Sequence, residues 1–71
     1  MATQAWTLNR ETGQFSYRFR GWEGIVTPGT FYAEFFLYFA GEFIVMGESK
    51  DTFQAMDAAE DAMLVHWQEI S

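Results

Sequence analysis

Cysteine is absent from this 71-residue chain, proline and histidine each occur once, and only four residues are lysine or arginine. Without cysteine there is no disulfide staple and no thiolate metal site, a composition that fits a reducing compartment. Against the four basic residues stand ten Asp and Glu, for a net charge of −6. A chain so acidic repels the phosphate backbone that dominates nucleic-acid affinity, so direct nucleic-acid binding is not expected. Long apolar runs are also missing. The longest, Phe35 to Ala40, is six residues, far short of the roughly 20 that span a bilayer. The start, Met1-Ala2-Thr3-Gln4-Ala5-Trp6, carries neither the basic nor the apolar region of a secretory signal, so a cytoplasmic protein is expected.

What the chain has in excess is aromatic: eight Phe, three Trp and three Tyr. A single domain over residues 1–71 buries only about 60–65% of its unfolded surface, and rings able to cover roughly 150–250 Å² each compensate for the small core. The charge is divided along the chain. Residues 1–22 hold Arg10, Arg18 and Arg20 against Glu11, a balance of +2, whereas residues 23–71 hold nine carboxylates against Lys50, a balance of −8.

Alternation dominates the first two thirds. Trp6 and Leu8 suit a short strand, and Asn9 to Gln14 is a polar loop with Gly13, as hairpins use. From Gln14, Phe15, Tyr17 and Phe19 alternate with Ser16, Arg18 and Arg20. Gly21 and Gly24 interrupt the run to Val26, marking a bulge or a strand end. Thr27-Pro28-Gly29-Thr30 has the residue pair of a type II turn. The strand Thr30–Ala40 then sets Phe31, Ala33, Phe35, Leu37 and Phe39 on a core face, with Tyr32, Glu34, Phe36 and Tyr38 on the other. Phe43 to Met46 is a short last strand. After Gly47 the period becomes 3.6: Asp51 or Thr52 caps a helix over roughly 52–69, whose stripe is Phe53, Met56, Ala59, Met63, Trp67 and Ile70, bordered by Leu64 and His66. The fold expected is α+β, an antiparallel meander of three or four strands with one C-terminal helix packed on one face.

One helix covers one face of a sheet. The other is expected to show Arg18, Arg20, Trp22, Tyr32, Glu34, Phe36 and Tyr38, an aromatic patch of the kind that marks an interface; a homodimer or cover by the N-terminal segment would equally account for it. Catalysis finds no support in the composition, because His66 has no nucleophile at a telling spacing and acid–base work needs oriented partners. His66 and Glu69 give two metal ligands where zinc takes three or four, so no metal and no other cofactor is expected. The helix speaks more clearly. Asp57, Glu60 and Asp61 crowd one flank, with no Lys or Arg from Thr52 to Ser71. Carboxylates about 5–6 Å apart on a rigid rod imitate a row of phosphates and suit a basic groove on another protein.

Tyr32-Ala33-Glu34-Phe35, Gly47-Glu48, and Asp51-Thr52-Phe53 followed by Gln54 to Met63 together resemble the HicB-like antitoxin domain, a β-β-β-α unit. The family's Pro-Asp-Leu-Pro-Gly-like loop is replaced here by Phe36 to Gly41, and no DNA-binding region follows the helix. The resemblance implies a protein that binds and blocks another protein, typically an RNase toxin. In size and acidity the chain is also similar to small phage-encoded inhibitors of host defence, including anti-CRISPR proteins that imitate DNA. The expected function is therefore a non-enzymatic inhibitor that occupies the basic nucleic-acid-binding surface of a larger protein or complex. Its charge would come from Asp57, Glu60 and Asp61 with Glu48, Asp51 and Glu69, and its apolar anchors would be Trp22, Tyr32, Phe36 and Tyr38. The alternative is an antitoxin-like module or dimeric domain that uses its open aromatic sheet face, and no membrane partner is expected.

Overall fold

The computed structural model describes residues 6–70, and for residues 69 and 70 the backbone only. Five antiparallel strands form one sheet in sequence order: β1 (Thr7–Asn9), β2 (Gln14–Phe19), β3 (Trp22–Pro28), β4 (Ala33–Phe39) and β5 (Glu42–Ser49). Helix α1 (Thr52–Ile70) packs on one face against β3, β4 and β5. The α+β meander with a C-terminal helix is as expected, with five strands in place of three or four.

The extra strand comes from Arg20-Gly21. Both residues have positive φ, 51° and 89°, the type I′ geometry whose twist matches flanking strands. Gly21 therefore closes a two-residue hairpin, and Phe19 pairs directly with Trp22. Ala40-Gly41 repeats the device at φ 53° and 85° between Phe39 and Glu42. The two turns lie side by side, joined by the Ala40 amide donating to the Gly21 carbonyl at 3.0 Å. At the other end of the sheet the type II turn does not form. Pairing stops at Pro28 and Ala33, leaving the loop Gly29–Tyr32, and Gly29 has no positive φ. Its glycine answers a close approach instead, since a Cβ there would lie 2.5 Å from the Tyr32 carbonyl oxygen.

Trp22, Val26, Ala33, Phe35, Leu37, Ala55, Met56, Ala59 and Met63 are buried between sheet and helix. Small residues let the layers close: Ala55 and Ala59 on α1, and Gly24 and Gly47 on the strands. Phe15, Tyr17 and Phe39 line the same face as expected, but Phe31 does not; it sits in the β3–β4 loop, 88% exposed. Phe53 is likewise 71% exposed. It lies six residues before Ala59, roughly 120° around the helix, so two successive i+3 steps have carried the inferred stripe off the core face. Asp51 is the N-cap: its Oδ1 accepts from the Gln54 amide at 2.9 Å and its carbonyl oxygen from Ala55 at 3.0 Å. The expected stripe residue Ile70 has a side chain outside the described residues.

Candidate functional site

Two surfaces on opposite sides of the molecule carry the expected residues. The first is the face of the sheet turned away from α1. Cross-strand register arranges it in three rows. One row runs Arg18, Glu23, Tyr38, Phe43; the next runs Ser16, Ile25, Phe36, Met46. The third runs Gln14, Thr27, Glu34, Glu48, its first step made by the Gln14 Nε2 donating to Thr27 Oγ1 at 3.0 Å. Phe36 and Tyr38 are half-buried in the middle of this face. Tyr38 meets the Phe43 ring edge-on at 5.8 Å, and Arg18 pairs with Glu23 at 3.4 Å. Glu34 and Glu48 stand directly opposite each other, an arrangement that costs stability between like charges.

Trp22 is not on this face. An unbroken strand would have put it beside Ser16 and Arg18, but the two-residue turn reverses the parity and sends the indole into the core. There it is 1% exposed and packs on Phe39 at 4.9 Å. Its buried Nε1 has no hydrogen-bond acceptor among the described residues. Arg20 sits in the turn, its guanidinium 5.5 Å from the Phe19 ring centre. Tyr32 lies in the loop before β4, 48% exposed. Phe43, Met46 and Ile25 join the open face unforeseen. A bulge between Leu37 and Tyr38 shifts the β5 register and so decides which β5 side chains face outward.

The second surface is the outer side of α1. Phe53, Asp57, Asp61, Leu64 and Gln68 follow one another at three- or four-residue intervals and form a single stripe. Phe53, Leu64 and Val65 are 71%, 58% and 55% exposed, so this side is apolar as well as acidic. Asp61 is exposed, whereas Asp57 is half-buried. Glu60 is turned to the flank, where it accepts from the Trp6 Nε1 at 2.7 Å. Trp6 in turn packs on Tyr17 at 5.4 Å. The Glu69 side chain lies outside the described residues.

The expected acidic set is thus divided. Asp57, Glu60 and Asp61 share the helix, Glu48 belongs to the opposite face of the sheet, and Asp51 is committed to capping. Between β2, β3 and α1 there is also an aromatic cleft of about 320 Å³, walled by Tyr17, Phe19, Trp22, Met63 and Trp67, with Arg20 and Glu60 its charged groups. His66 stands 6.2 Å from the Trp22 ring. Among the described residues no three His, Asp or Glu side chains are grouped so as to hold a metal ion, and no helix is long and apolar enough to cross a membrane. No family model, no curated protein and no solved structure matches this chain, so its own two surfaces are the ground for a functional reading.

Proposed function

We propose that this protein is a non-enzymatic inhibitor that lays the outer side of α1 in a basic, partly apolar groove of a larger nucleic-acid-binding protein. The observation that carries the reading is that carboxylates and large exposed apolar side chains share one stripe, Phe53, Asp57, Asp61 and Leu64, on a helix whose other side is buried. Phe53 and Leu64 lie in line with the acids, one at each end of the pair, where each can serve as an apolar anchor. A helix docking in a groove uses such anchors, and the acids beside them match a surface built to hold phosphates. The antitoxin resemblance leads to the same class, a protein that binds and blocks another.

The test is an affinity capture from the native host, with the recovered proteins identified by mass spectrometry. Wild-type protein is expected to recover a nucleic-acid enzyme or surveillance complex. Asp61→Lys and Leu64→Ser, both at exposed positions, are each expected to weaken that capture by about tenfold with an unchanged melting temperature. Capture of the same partner by both variants, at undiminished strength and with the same salt dependence, would sink the proposal.

A further inference from the structure

The reading above uses the helix and leaves the open sheet face without an occupant. We infer that the occupant is a second copy of this chain, packed sheet to sheet about a two-fold axis that runs along the strands between β3 and β4. Such an axis keeps each row in place and exchanges β3 with β4 and β2 with β5. Ile25 of one copy then lies over Phe36 of the other, and Phe36 over Ile25, which makes an apolar centre. Every charged group on the face meets a group it can use. Glu34 faces Thr27, Glu48 faces Gln14, Glu23 faces Tyr38, and Arg18 faces the Phe43 ring, as follows from the observed register. No carboxylate faces a carboxylate.

Thr27 is set up for this role. Its hydroxyl oxygen already accepts from the Gln14 side chain at 3.0 Å, so its proton remains to be donated, and the Gln14 amide keeps a second N–H. The outward row of donors on β2 and β3 is thus matched, across the axis, to the outward carboxylates on β4 and β5. Within one sheet Glu34 stands between Thr27 and Glu48, and the second copy adds a donor for each of the two carboxylates. Aligned sheets pack about 10 Å apart with strands within about 30° of each other, so the pairs nearest the axis keep their partners despite the twist. Four strands, with β3 and β4 seven residues each, make a footprint of about 450 Å² per copy. At about 900 Å² in total it is smaller than standard specific interfaces and belongs with the weak, transient ones.

Sedimentation equilibrium of the pure protein from micromolar to millimolar concentration tests the inference. Wild type is expected to form dimers, and both Phe36→Asp and Met46→Asp to stay monomeric with an unchanged circular dichroism spectrum; Met46 is already 44% exposed. Thr27→Lys, whose ammonium would lie beside Glu34 of its own sheet and face Glu34 of the second copy, is expected to tighten the dimer severalfold. Ser16→Lys makes the same change in net charge but faces Met46, and is expected not to tighten it. A wild-type protein that stays monomeric throughout, or a Met46→Asp variant that dimerises like wild type, overturns the interface. Equal effects of the two lysine variants overturn the two-fold geometry.

Discussion

Gly47 lies under the ring of Phe35, its partner across β4 and β5. A Cβ at position 47 would stand 2.6 and 2.7 Å from two ring carbons, and a buried ring has no room to tilt. Gly24 is crowded in another way, its nearest neighbour being the terminal methyl of Met63 at 2.8 Å, the end of a flexible side chain. Gly47→Ala is therefore expected to destabilise the fold by about 2–3 kcal/mol and Gly24→Ala by about 1 kcal/mol. Chemical denaturation of the two variants checks the order, and equal losses would contradict the packing argument. In the sequence Gly24 reads as an interruption and Gly47 as the point where the period changes, and neither crowding is visible there. Trp6 beside Gly24 and the Phe35 ring over Gly47 are long-range neighbours that no local pattern announces.

At the scale of elements, the start of α1 and the polar first hairpin are legible along the chain because their causes are local. Asp51 with Gln54 three residues later is a capping pattern, and the loop Asn9–Gly13 closes on the Asn9 side chain and carbonyl. Asp51→Ala is expected to cost about 1 kcal/mol and to fray the first turn, seen as faster hydrogen exchange at Gln54 and Ala55 than in the middle of α1. Undiminished protection there would show that packing, not the cap, holds that end. The element that escaped the sequence reading is the β2–β3 hairpin. Its turn is Arg20-Gly21, and only the glycine signals a left-handed residue; arginine in that conformation is uncommon enough that a bulge reads as well as a turn. One missed two-residue turn reversed the facing of everything beyond it in that segment. That is why unbroken alternation points Trp22 to a surface while the folded chain holds it in the core.

For the whole molecule, the net charge of −6 acts differently on the two surfaces proposed to bind. Association of two copies brings like net charges together, whereas docking of α1 in a basic groove brings opposite charges together. Raising ionic strength shortens the screening length from about 10 Å at 0.1 M to about 3 Å at 1 M. Added salt is thus expected to tighten the dimer and to weaken capture of the basic partner, and measuring both on one preparation separates the two surfaces. The same sign of salt dependence for both would mean that one of them has been assigned the wrong partner.

By itself the sequence determined what depends on neighbours a few residues apart. Period two over the first two thirds and period 3.6 after Gly47 specified a sheet followed by a helix. It also placed Phe36, Tyr38 and Glu34 on one face, because alternation within β4 is unbroken. Only the tertiary structure decided which residues share a surface across strands. Facing depends on the parity of each turn and on the β5 bulge, and a single residue of slip exchanges inside for outside. It also decided that the helix presents Phe53 and Leu64 outward, since the buried side of α1 is set by where Ala55 and Ala59 allow close approach to the sheet. The acids that are neighbours in the chain's composition are, for that reason, divided between two opposite faces of the protein.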